Sequence, residues 1–159
     1  MAIYMQLSGA RGDVGTKGYE NWIQLLSLDA SINRGVKNPV GKPRDRTTTN
    51  PSFSAFEITK KVDKSSSCLI RSICDANNIP KVLINICTTG VENIPYVKYE
   101  LNDVLLSHYS CSVLGESDLI ETMHLHFAKI QKTYIPRDGN NQAQSPIICG
   151  YDLETAQSL

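Results

Sequence analysis

Leu119-Ile-Glu-Thr-Met-His-Leu-His-Phe-Ala-Lys-Ile-Gln-Lys-Thr-Tyr134 is the stretch that says most about the fold. Met123, Leu125 and Phe127 alternate with polar residues at a period of two, the spacing of a strand with one buried face. Ile130 and Tyr134 fall on the opposite parity. Either a bulge shifts the register near Ala128, or both faces are covered there.

Shorter runs of the same kind lie on either side. Ile3 to Leu7 reads as a first strand. In Trp22 to Ile32, alternation places Leu26, Leu28, Ala30 and Ile32 on one face and Ser27, Asp29 and Ser31 on the other. Phe53 to Val62 puts Phe56, Ile58 and Val62 together, and Lys81 to Cys87 does the same for Val82, Ile84 and Ile86. Tyr96 to Leu101, Val104 to Val113 and a closing run from Gly150 complete the set. Helical spacing occurs once, at Leu69, Ile70, Ile73 and Cys74. Asp63, Ser65 or Ser66 is its expected N-cap, and Asn77-Asn78 before Pro80 its end. Six to eight short strands and one helix predict a mainly β domain, a barrel or sandwich, over residues 1–159.

Sixteen basic and sixteen acidic residues cancel, which removes the long-range positive field that drives non-specific nucleic-acid binding. Near-zero net charge also permits self-association. No secretory leader is expected from the N-terminal residues, and no stretch approaches the ~20 apolar residues of a membrane helix. The five cysteines (68, 74, 87, 111 and 149) are widely spaced with no Cys-x-x-Cys pair, so reduced thiols are expected, most of them buried as small hydrophobes.

Candidate chemistry is sparse. Gly9 to Gly18 is glycine-rich, but Thr16-Lys17-Gly18 has the wrong order for a phosphate loop and a strand follows. His124 and His126 share a strand face, and His108 is the nearest candidate to extend the pair. Two histidines fall short of the three or four ligands of a zinc site, so no metal or other cofactor is expected. His108 and Cys111 have opposite parity, which argues against a nucleophile–base pair, and no catalytic residues are expected. Residues 33–51, with three prolines and two glycines, predict a long loop. Loops of that length are often functional. Arg34, Lys37, Lys42, Arg44 and Arg46 stand against a single acid, Asp45. They suit either a solvated loop or an arm lying on an acidic neighbour.

Several motifs together resemble the haemolysin-coregulated protein (Hcp) family of type VI secretion. They are Gly12-Asp13 and Lys17-Gly18 ahead of Ile23, Ile58 to Ser65 leading into Leu69, and Tyr99 to Ser107. Leu125 to Ile130, Thr133 to Pro136 and Gly150-Tyr-Asp152 complete the series, whose order spans the chain. The resemblance implies a compact β-barrel of two packed antiparallel sheets with one flanking helix and an extended loop. It implies homohexameric rings stacked into a tube, with a spike protein at the tip, a contractile sheath outside and small effectors in the lumen. The protein is then made in the bacterial cytoplasm and exported without a signal peptide. The arm is expected at Arg34, Lys37, Lys42, Arg44, Asp45 and Arg46, and lumen-facing positions at Ser27, Asp29 and Ser31. Departures are Tyr19 where relatives often have His, Leu28-Asp29-Ala30 where many are aromatic, and a basic, proline-containing arm in place of a glycine-rich one. The reading from another class is a small ligand-carrying β-barrel of lipocalin type, which needs a wide interior cavity.

Overall fold

The computed structural model describes residues 1–41, 47–90 and 92–159, with the backbone alone for Thr47. In chain order the elements are β1 (Ala2–Leu7), β2 (Ile23–Leu25), β3 (Ser27–Asp29), β4 (Ile32–Asn33), β5 (Val36–Lys37), β6 (Thr47–Thr48) and β7 (Ser52–Phe53). There follow β8 (Phe56–Lys61), α1 (Ser66–Cys74), β9 (Ile79–Cys87), β10 (Pro95–Ser112), β11 (Ile120–His126), β12 (Lys129–Tyr134), β13 (Ile147–Asp152) and β14 (Gln157–Ser158).

The chain makes two packed antiparallel sheets that share β10. The first half of β10 lies between β9 and β12, and that sheet continues through β1 to β2 on one side and through β13 to β14 on the other. The second half pairs with β11, which leads to β8 and then β3. The expected mainly β class holds, with a single helix among the described residues. The barrel becomes two sheets not closed by unbroken strands, because the passage from β2 to β3 is interrupted at Leu26, whose N–H donates to Thr59 O at 2.7 Å.

That interruption corrects the single strand expected over 22–32. Ile23 and Leu25 face the core, whereas Leu26 is exposed and Leu28 packs inward. One residue of slip reverses every later side chain. The phase change near Ala128 has the same kind of origin. The strand ends at His126 and restarts at Lys129, where it leaves the second sheet and joins the first. In contrast, the runs 96–101 and 104–113 are one strand, bent where Asp103 adopts a left-handed φ of 52°.

Met5, Ile23, Ile58, Leu69, Ile84, Leu101, Met123 and Leu125 are fully buried and fill the space between the sheets. A lipocalin-type carrier would need that space open. A satellite cluster holds Tyr4, Tyr19 and Cys87. Tyr19 stacks on Tyr4 at 4.5 Å between ring centroids and accepts a hydrogen bond from Cys87 Sγ at 3.2 Å. Burial pushes the Tyr19 phenol up to about 12. The family departure at this position is therefore a core residue. Of the five free thiols, Cys87 is buried, Cys68 half-buried, and Cys74, Cys111 and Cys149 exposed, which corrects the expectation that most are inside.

Candidate functional site

Alternation along β8 places Phe56, Ile58 and residue 60 inside, and residue 60 is lysine. Lys60 is fully buried, while Val62, expected inside, is exposed. The ammonium survives there because it is matched on several sides. Lys60 Nζ donates to Glu121 Oε2 at 2.7 Å, to Ser66 Oγ at 3.0 Å and to Lys61 O at 3.0 Å, and lies 2.9 Å from Asp63 Oδ1. Ser66 Oγ also donates to Glu121 Oε2 at 2.7 Å, and Tyr109 OH donates to Oε1 at 3.1 Å. Burial pushes the Glu121 carboxyl up. The hydrogen bonds from Lys60 and Ser66, the Lys60 charge and the Tyr109 hydroxyl together outweigh that, and hold it below its ordinary value. Asp63 accepts from the Ser65 N–H and hydroxyl. Ser65 occupies the cap position, but its own side chain caps nothing. The helix start is thus fixed to β8 and β11 by a buried charge cluster. Sequence reading missed it because a lysine between Thr59 and Lys61 looks solvated; the signal was its even parity with Phe56 and Ile58.

The long loop is not structureless. Its described parts pair as an antiparallel ribbon, with β4 on β7 (Ile32 opposite Phe53, Asn33 opposite Ser52) and β5 on β6 (Val36 opposite Thr48). Arg34 Nε donates to Thr49 O at 2.8 Å, and Gly35 N–H to Thr49 Oγ1 at 2.9 Å. Ile32, Val36 and Val40 are exposed, Val40 completely. Of the expected arm residues, Arg34 and Lys37 lie exposed on this ribbon, and Lys42, Arg44, Asp45 and Arg46 lie outside the described residues. At the ribbon's root, Ile32, Phe53, Phe56, Tyr99, Ile130 and Tyr151 line an open, largely apolar groove. Close by, β13 exposes Ile147 and Ile148, and β14 pairs only with its far end, Tyr151 and Asp152.

The outer face of the second sheet is polar. One row across the strands is Ser27, Thr59, Thr122 and Ser110, with Ser27 and Thr59 hydroxyls 2.6 Å apart. The next is Asp29, Glu57, His124 and His108. Ser27 and Asp29 therefore share a face, as expected. Ser31 does not lie in that strand; it is tied to Ser54 at the ribbon's root, its N–H donating to Ser54 Oγ at 2.8 Å. His126 bonds Ser107 Oγ at 2.8 Å.

This is a mainly β, two-sheet protein whose distinctive surface features are an exposed ribbon, an apolar groove at its root and a polar sheet face. The family described as "Type VI secretion system effector, Hcp" matches residues 4–134, and the chain belongs to it. Protein hcp1 of Pseudomonas aeruginosa is 23% identical, over 95% of this chain and 94% of that protein. A solved type six secretion system protein superposes with a TM-score of 0.92 at 23% identity, covering 99% of each chain. Hcp1 from Salmonella typhimurium gives 0.80 at 20% identity, covering 99% of this chain and 98% of its own. A type VI effector from Yersinia pestis gives 0.77 at 17%, covering 94% and 98%. At such identities the structural likeness establishes the fold. No helix among the described residues is long and apolar enough to cross a membrane.

Proposed function

We propose that this chain is a non-enzymatic ring subunit of a type VI inner tube, acting by assembly. The observation that carries the reading is the ribbon made by the β4–β7 and β5–β6 pairs. It presents Ile32, Val36 and Val40 to solvent, and it stands beside a groove and a strand edge that are also apolar. A ribbon of one copy seated in the groove of the next makes a heterologous contact, which closes into a ring when the rotation allows. Family membership favours six copies, with stacked rings, a spike protein at the tip and a sheath outside. In this reading the polar face of the second sheet, with Ser27 and Asp29 and with Ser31 beside them, lines the bore and meets small effector cargo. Arg34 and Lys37, with Lys42, Arg44, Asp45 and Arg46, belong to the arm that touches neighbouring copies. Export proceeds from the bacterial cytoplasm without a signal peptide.

Light scattering on the purified protein is expected to give about six times the 17.6 kDa chain mass. Because Asn33 and Ser52 are paired neighbours, residues 34–51 are replaceable by a two-residue hairpin turn. That variant should keep the wild-type circular dichroism spectrum and lose assembly. A strict monomer at high concentration, or an armless variant that still forms rings, overturns the assignment.

A further inference from the structure

We propose that His108 and His124 form an open two-imidazole site for a divalent transition-metal ion, with Glu57 as its supporting carboxylate. The site comes from a register shift. Leu106 faces Leu125, but the next pair is His108 with His124, so Ser107 is the extra residue of a β-bulge. Without the bulge Ser107 would face His124. With it, the two imidazoles stand side by side on adjacent strands, ring centroids 4.6 Å apart and tilted by 30°. Both lie on the outer face of the sheet, within reach of solvent.

Glu57, the next residue in the row, places Oε2 3.1 Å from His124 Nε2. Against a carboxylate, which accepts, Nε2 is the donating nitrogen, and the tautomer that donates there leaves the Nδ1 lone pair for a metal. A carboxylate behind a histidine in this way is the usual support of a metal ligand: it fixes the tautomer and raises the basicity of the other nitrogen. Asp29, one strand further on, adds negative charge to the row. Imidazole pairs suit zinc, copper and nickel. Among the described residues no three His, Cys, Asp or Glu side chains are grouped to enclose a metal. The site is accordingly open, with two protein ligands and the remaining positions left to water or to a bound partner. The sequence reading expects no metal, and by parity it places His126, not His108, beside His124.

The test is isothermal titration of the metal-free full chain with Zn2+, and with Ni2+ as a second probe. One ion per chain is expected. H108A and H124A should each weaken binding at least tenfold, and E57Q about tenfold, as is usual for loss of a supporting carboxylate. H126A, and a C74S/C111S/C149S variant that removes the exposed thiols, should bind like wild type. No binding, undiminished binding in H108A, or loss of binding in the thiol variant overturns the proposal. Scattering mass recorded on the same samples keeps this outcome separate from that of the ring, since the site lies within one chain.

Discussion

Replacing Lys60 by methionine should be among the most damaging single changes available in this chain. The substitution nearly preserves side-chain volume, so packing contributes little. What changes is charge. Glu121, 1% exposed, would keep its hydrogen bonds from Ser66 and Tyr109 but lose its counter-ion. Removing one member of a buried pair costs about 3–5 kcal/mol. For a chain of this size that lowers the midpoint of thermal unfolding by roughly 6–20 °C. The assay is chemical denaturation of Lys60→Met, Glu121→Leu and the double variant, all at one protein concentration, so that the proposed self-association does not enter the comparison. The double variant removes both charges and should be more stable than the worse single, even with Ser66 and Tyr109 left short of a partner. A Lys60→Met cost within about 1 kcal/mol of wild type would mean water already reaches the site. A double-variant cost equal to the sum of the singles would mean the two charges do not act together.

The cluster also sets a pH dependence. The Glu121 carboxyl is held below its ordinary value in the folded state, so its contribution is fully present above the unfolded-state range and is lost as pH falls through the folded-state value. The stability gap between wild type and Glu121→Gln, followed by denaturation at several pH values, should therefore be constant near neutrality and shrink in acid; a gap that widens in acid reverses the sign. Gly12→Ala should lower the melting temperature, at a cost of about 1–3 kcal/mol, because the added Cβ would sit 2.2 Å from Trp22 O. Ala76 ends the helix with φ at 51°, so Ala76→Gly should raise stability by about 1 kcal/mol in the same melt, provided the left-handed backbone persists.

What was legible in the sequence was what period two can carry. Val82, Ile84, Met123 and Leu125 fell on their buried faces, and the break near Ala128 was visible as a change of parity. Two kinds of feature were hidden. The first is a residue whose burial contradicts its type: Lys60 reads as solvent-facing until Ser66, Asp63 and Glu121 are brought to it from elsewhere in the chain. The second is a shift made by the backbone. Leu26, Asp103 and Ser107 each change which side chains face inward, and none is a glycine or proline that would announce it. The polar sheet face was half legible. Ser27 and Asp29 were placed together, whereas Glu57, His124 and His108 joined them only through pairing across four strands. The 33–51 segment read as loop because its ladders are two residues long, too short to leave a periodic signature.

The shared strand has a mechanical consequence. β10 is 18 residues long and is hydrogen-bonded to β9 and β12 along one half and to β11 along the other. Neither layer can peel away without dragging the common strand out of its neighbours in the other. A load applied to either sheet is thus spread over both.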